Sequence, residues 1–198
     1  MAKIVSLSSI PRSQFDKIKK QFKCSYKELE EHIKQYAYSH QKEGLFQTYL
    51  YIDDNNYAGY ISFAITSIDK SKANNKINIP PSINYEVSSL KITRLCIFDG
   101  YLNNGIGKSL LGFANILAVT LQKTVGCRAI IVDSKIEAIG FYDSFGFIQI
   151  AMQDDDTTQT AFMVYDLFKP SELENDVLLM IEFCEEYEQG HLIPLLNN

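Results

Sequence analysis

The 198-residue sequence has no run of about 18 apolar residues and no amino-terminal signal pattern, so neither a membrane span nor secretion is expected, and the chain is read as cytoplasmic. It has only four cysteines, Cys24, Cys96, Cys127 and Cys184, widely spaced and without a Cys-x-x-Cys pair. That pattern argues against a disulfide framework or a zinc site and for buried free thiols. Histidine is scarcer still: His32, His40 and His191 all lie far in sequence from the glycine-bearing stretch described next. The three consecutive acids from Asp154 lack the alternating spacing of a cation loop, so they read as a solvated turn and no metal is expected. A net charge of −5 argues against nucleic-acid binding over the whole surface. The charge is unevenly spread, however. Residues 1–42 hold nine Lys or Arg against four Asp or Glu, whereas residues 171–198 hold seven acids and no Lys or Arg.

What the chain does have is 46% hydrophobic residues, enough for one real core. It also has a concentrated signal at residues 90–111. Residues 92–98, rich in β-branched and apolar side chains, read as a buried strand. A turn-rich stretch follows as far as Gly107, and a long helix starts near Lys108. Strand, glycine-bearing loop and helix make an anion site, because the first helical N–H groups lack intrahelical partners and point at whatever sits there. Gly105 and Gly107 let the backbone approach a diphosphate with no Cβ in the way. Glycine spacing does not say which diphosphate. A Walker A loop needs its first glycine where Leu102 stands, and Gly100-x-x-x-x-Gly105-x-Gly107 has the wrong intervals for a dinucleotide fingerprint. Taken alone, the stretch also fits a glycine turn before an ordinary core helix.

Downstream, residues 127–133 read as a second strand and residues 135–147 as a short helix closing at Gly146. With these in view, Tyr101-Leu-Asn-Asn-Gly-Ile-Gly107 resembles the coenzyme A pyrophosphate loop of the GCN5-related N-acetyltransferases (GNAT). Ala138-Ile-Gly-Phe-Tyr-Asp-Ser-Phe-Gly-Phe147 resembles their second signature, a helix carrying Phe-Tyr and closing with Gly-Phe. The resemblance implies an α/β fold with a mixed, V-split central sheet flanked by helices, and acetyl-CoA as acyl donor. It implies that backbone groups of Leu95, Cys96 and Ile97 align the pantetheine arm and polarise the thioester carbonyl. It implies, too, that the amides of Asn103, Asn104, Gly105, Ile106, Gly107 and Lys108 take the pyrophosphate, and that Tyr142 protonates the departing thiolate. A phenol, with a reference pKa of about 10, holds its proton at neutral pH and can still give it to a thiolate. Leu102 stands where the family usually has Gln or Arg, and Asn103 where it usually has Gly, which removes one polar contact and some flexibility. The candidate base is Glu86, acting through water, with Asp133, Ser134 and Ser144 as alternatives.

Ahead of these motifs, a strand is read at residues 2–7 and a helix from Ser13 or Gln14 to about Gln21. Ser25 with Glu28 three residues on reads as a capping box, opening an amphipathic helix that runs to about His40. Lys17, Lys19, Lys20, Lys23, Lys27 and Lys34 lie here, as a solvated face or as a steering surface for an anionic partner. Residues 46–52 and 57–65 read as a hairpin turning at residues 53–56, and residues 69–81 as a polar loop. Phe22-Lys-Cys-Ser-Tyr-Lys-Glu-Leu-Glu, Phe46-Gln-Thr-Tyr and Tyr57-Ala-Gly-Tyr60 resemble a narrower branch of the same family. That branch contains the toxins of bacterial toxin–antitoxin pairs that acetylate aminoacyl-tRNA. Arg94-Leu95 resembles the pair that opens their central strand, whereas Ser25 stands where they commonly have glycine. An acidic balance is unusual for a protein gripping a tRNA backbone.

The helix from Lys108 to about Lys123 is apolar on several faces and so largely buried, with Gly126 ending it. Residues 147–152 and 160–167 form a last hairpin. Residues 1–170 are expected to form the acetyltransferase domain and residues 171–198 an acidic appendage. The appendage reads as an amphipathic helix with Leu173, Val177, Leu178, Met180, Ile181 and Cys184 along its stripe, ended by Gly190 and followed by an apolar tail. Such a stripe needs cover, from its own domain or from a second copy in a homodimer. The acidic segment is also expected to shield or pair with the basic front.

The leading functional reading is an N-acetyltransferase that moves the acetyl group of acetyl-CoA to a primary amine, on a small molecule, a peptide or an aminoacyl-tRNA. Toxin-type acetylation of the aminoacyl-tRNA α-amine would bring an antitoxin as partner. The competing class is a catalytically weak module that keeps coenzyme A as a structural or sensing ligand, which Leu102 and Asn103 favour.

Overall fold

A computed structural model of the chain describes residues 2–54, 56–73, 76–77, 79–80, 82, 86–154, 159–168 and 173–196, the side chains of 73 and 173–179 excepted. The described strands are β1 (Lys3–Ser6), β2 (Gln47–Asp53), β3 (Asn56–Ile68), β4 (Val87–Ile97), β5 (Ala129–Lys135), β6 (Ile148–Asp154) and β7 (Gln159–Asp166). They form one mixed sheet in the order β1-β2-β3-β4-β5-β7-β6. The helices are α1 (Arg12–Ile18), α2 (Lys27–Glu31), α3 (Ala37–Lys42), α4 (Lys70–Ala73), α5 (Ile106–Thr124), α6 (Ile139–Asp143), α7 (Leu173–Glu186) and α8 (Ile193–Leu196). A π-helical turn, His32–Tyr36, joins α2 to α3. The chain divides into two compact units, one made of residues 1–64, 93–113 and 182–190, the other of residues 65–92, 114–181 and 191–198.

In the first unit, β1 to β3 are paired antiparallel. Their inner face buries Leu7, Phe15, Phe22, Ile33, Leu50, Tyr60 and Phe98 in one cluster. Phe22 and Phe98 stack with ring centroids 4.7 Å apart, the offset geometry that aromatic pairs prefer. The stretch expected as one regular helix from Ser25 to His40 instead starts at Lys27 and passes through the π turn. The capping box does not form. Tyr26 occupies the cap position with no side-chain cap bond. The Ser25 hydroxyl donates to Asp99 Oδ1 at 2.9 Å, a charge-assisted bond that outcompetes a neutral amide partner.

In the second unit, β5 pairs antiparallel with β7, and β7 with β6. Ile68, Ile77, Ala129, Ile131, Phe162 and Val164 make its core cluster. Residues 129–132 are all buried, which explains their unbroken apolar run. β4 starts at Val87, five residues before the apolar stretch that marks it in the sequence. Ser89, 1% exposed, is tolerated there because its hydroxyl donates to the Val87 carbonyl. β4 and β5 pair in parallel from Ser89↔Ala129 to Ile92↔Val132. Both strands continue beyond that last pair, which is the expected V-split of a mixed α/β sheet.

The carboxy-terminal stripe is buried at Met180, Cys184, Tyr187, Leu192 and Leu196, while the side chains of Leu173, Val177 and Leu178 lie outside the described residues. α7 ends at Glu186, ahead of Gly190, because Glu188 takes the left-handed turn at φ +58. Gly190 opens a 3-10 turn, Gly190–Leu192, and the expected tail is helical in α8. One ion pair, Lys3 with Glu188 at 3.8 Å, joins the acidic segment to the basic front. The boundary expected at residues 170 and 171, and the acids at 155 and 156, fall outside the described residues, as do residues 55, 74, 75, 78 and 81 of the expected turn and loop. All four cysteines are free and buried. Among the described residues no helix is long and apolar enough to cross a membrane, and no cluster of His, Cys, Asp and Glu could hold a metal.

Candidate active site

The loop between β4 and α5 is shaped by three left-handed residues. Gly100, Asn103 and Gly105 have φ of +93, +65 and +77. Asparagine is one of the few side-chain-bearing residues that enter this region readily, so Asn103 makes the turn without a glycine. The first helical bonds of α5 are from Lys108 and Ser109 N–H to the Gly105 carbonyl, at 2.9 and 3.1 Å. The amides of residues 105–107 precede that ladder and are directed out of the helix N-terminus. A Cβ built on Gly105 meets nothing within 4 Å. Asn103, Asn104, Gly105 and Lys108 are exposed, whereas Ile106 is buried and anchors the turn. Donor-bearing backbone, a partial positive helix end and a nearby lysine fit a diphosphate.

Leu95, Cys96 and Ile97 close β4 in the same unit. Cys96 points into the core, 3% exposed, with its Sγ 2.8 Å from Cys24 Sγ. The Cys24 thiol is pulled below the usual thiol range by its bond from Cys96 and the Cys96 thiol is pushed up. The backbone of β4 is approached closely from β3: a Cβ on Gly59 would lie 2.7 Å from the Cys96 carbonyl oxygen. Asp99, at the start of the loop, is tied to the segment before α2. Its N–H donates to the Lys23 carbonyl at 2.9 Å, and its carboxylate accepts from the Ser25 N–H and hydroxyl. Lys19 and Lys34 of the basic front are paired with Asp16 and Glu30; Lys17, Lys20, Lys23 and Lys27 are exposed.

The two residues expected to move protons belong to the second unit. Tyr142 lies in α6, 6% exposed, its ring 5.1 Å from that of Phe141 and 5.3 Å from that of Phe147. Burial raises its pKa above the ordinary phenol value, so it keeps its proton at any physiological pH. Glu86 precedes β4, is exposed, and accepts a hydrogen bond from the Ser67 hydroxyl. Of the alternatives, Asp133 is paired with Lys91, while the Ser134 and Ser144 hydroxyls donate to nearby backbone carbonyls of Lys135 and Phe141.

One cluster has no signal in the sequence spacing. His32, which opens the π turn, and His40 of α3 come together with ring centroids 5.6 Å apart, and Phe46 and Tyr60 lie beside His32. His32 Nε2 and His40 Nδ1 are buried without a hydrogen-bond partner. Burial, then the charges of Arg94 and His40, lowers the His32 pKa to about 4.

A mixed sheet that opens beyond Ile92, followed by a left-handed loop presenting amides at a helix N-terminus, fits a coenzyme A-dependent acyltransferase. A family model described as an acetyltransferase (GNAT) domain matches residues 16–160, and the chain belongs to that family. It is an N-acetyltransferase that uses acetyl-CoA to acetylate a primary amine. No curated protein matches the sequence. Solved structures with the same fold include a bacterial toxin, at TM-score 0.73 and 16% identity over 91% of this chain and 96% of that one. AtaT complexed with acetyl-methionyl-tRNAfMet is similar at TM-score 0.66 and 18% identity, over 90% and 99% of the two chains. A mutant AtaT toxin bound to acetyl-CoA and the C-terminus of the antitoxin AtaR is similar at TM-score 0.66 and 16% identity, over 90% and 97%.

Proposed function

We propose that this N-acetyltransferase acetylates the α-amino group of an aminoacyl-tRNA, as a toxin held in check by an antitoxin. One observation carries the reading. The exposed lysines Lys17, Lys20, Lys23 and Lys27 flank a turn that Asp99 fastens to the root of the loop between β4 and α5. A net acidic protein thus keeps a local basic surface on the segment joined to that loop, which suits a polyanionic acceptor. The fold shared with AtaT, solved with an acetylated methionyl-tRNA and with its antitoxin, supports the same acceptor and partner.

In this reading the amides of Asn103 to Gly107 hold the pyrophosphate, and the backbone of Leu95 to Ile97 aligns the pantetheine arm; the Lys108 amide, expected to join them, is instead committed to the Gly105 carbonyl and leaves only its side-chain charge to the site. Acetyl-CoA supplies an activated acyl group. Tyr142 protonates the leaving thiolate, the role its buried, proton-retaining phenol supports. Glu86, its carboxylate held by Ser67, accepts the ammonium proton through water. An α-amine titrates at about 7.7–8.0, so a weak base suffices. Four free cysteines support a reducing cytoplasmic setting, and an isolated homodimer is the state proposed before antitoxin binds.

The test is to incubate the protein with labelled acetyl-CoA and separate pools of charged tRNA, peptides and polyamines. Label is expected in aminoacyl-tRNA, and Lys17→Glu combined with Lys20→Glu is expected to reduce it and flatten its salt dependence. Label in polyamine or peptide alone overturns the acceptor. Bound coenzyme A with no transfer to any pool favours a sensing module.

A further inference from the structure

Residues 183–189 lie beyond the matched residues 16–160, yet they reach the first turn of α5 within the first unit. The Tyr187 and Ser109 hydroxyls are 3.0 Å apart. Ser109 stands two residues past Gly107, and its amide already bonds to the Gly105 carbonyl. Tyr187 is 6% exposed and stacks on Phe183 with centroids 4.3 Å apart. Its ring is 5.8 Å from that of Tyr51, whose phenol is also nearly buried. Phe183 presses on α5 where the helix has no side chain, 3.1 Å from the position of a Cβ on Gly112. Gln189 closes the segment by donating to the carbonyls of Ile4 and Tyr187. The segment is therefore gripped at β1, β2 and α5, and its Tyr187 hydroxyl meets α5 on the turn that opens the helix.

We propose that Tyr187 is a positioning residue for acetyl-CoA: through the Ser109 hydroxyl it fixes the first turn of α5, and so the orientation of the amides at residues 105–107. This rests on those amides holding the pyrophosphate. The Tyr51 hydroxyl bonds to both Tyr187 and Ser109, so a phenyl ring at 187 would keep the stack on Phe183 and the packing on Tyr51 but remove one of the two phenols that hold the Ser109 hydroxyl. Packing and positioning are thereby separable.

The experiment measures acetyl-CoA affinity by calorimetry on the full chain, for wild type, Tyr187→Phe, Ser109→Ala and the double variant. Each single variant is expected to weaken binding by about two- to tenfold, the range one hydrogen bond supplies. The double variant is expected to be no weaker than the worse single, since both remove the same bond. Affinity unchanged in Tyr187→Phe, or losses that add in the double variant, overturns the proposal. Should Tyr187→Phe fold poorly, unchanged affinity in Ser109→Ala overturns it equally. Wild type that binds no acetyl-CoA overturns both this proposal and the pyrophosphate reading. Wild type that binds while every variant matches it overturns this proposal alone.

Discussion

Gly59 of β3 faces the backbone of β4 so closely that an added methyl would stand 2.7 Å from the Cys96 carbonyl oxygen and 3.1 Å from Ile97 Cδ1. The first neighbour is main chain and cannot rotate aside. Gly59→Ala is therefore expected to push β4 outward at the residues proposed to align the pantetheine arm. Overpacking of this kind costs about 1–3 kcal/mol, or several degrees of melting temperature for a chain of this size. Thermal denaturation and acetyl-CoA calorimetry should both show the loss.

Tyr142 is packed between Phe141 and Phe147, so Phe fits its site without leaving a void. Tyr142→Phe should lower turnover by about a hundredfold or more, the usual contribution of a general acid, with acetyl-CoA affinity within about twofold of wild type. Turnover at the wild-type level would remove the phenol from the chemistry.

The buried His32 makes stability pH-dependent with a definite sign. Its folded pKa of about 4 lies below the model-peptide value of about 6.5. Between those values the unfolded chain binds more protons than the folded one, so stability falls as pH drops from about 6.5 to 4. The full effect is on the order of 3 kcal/mol. Above pH 6.5 the group contributes no slope. His32→Phe should flatten urea midpoints measured across this window, and parallel slopes in the two proteins would count against the assignment.

Removing residues 182–198 should destabilise the chain, because Cys184 and Leu196 are fully buried and Gln189 is bonded to the Ile4 carbonyl. A truncated protein with the wild-type melting temperature would show that the stripe finds its cover elsewhere.

The loop and its flanking strand and helix were legible because turn chemistry is local: Asn103, Gly105 and Gly126 announce left-handed positions within a few residues. The short helix carrying Phe141 and Tyr142 was legible for the same reason. Contacts between distant segments were not. Ser25 pairs with Asp99 across 74 residues, which displaced the capping box that local spacing suggested. Cys24 meets Cys96 across 72 residues, although their spacing pointed only to separate buried thiols. The π turn was hidden because the apolar face of residues 26–37 reads equally well in a regular helix, and only the folded chain shows His32 and His40 beside each other. The start of β4 was hidden by Ser88 and Ser89, whose polarity broke the apolar pattern while backbone pairing held the strand. Tyr187 and Ser109 show the limit most sharply, since nothing in either local sequence points to the other.

The most direct measurement compares acetyl-CoA with S-acetylpantetheine, which lacks the diphosphate, by calorimetry on wild type and Gly105→Val. Gly105 sits at φ +77, where a β-branched side chain is strained and forces the loop backbone out of its left-handed conformation. Wild type should bind acetyl-CoA much more tightly than S-acetylpantetheine, and Gly105→Val should erase most of that difference. Equal affinity of wild type for the two ligands, or an undiminished preference in Gly105→Val, would contradict the assignment of the diphosphate to this loop.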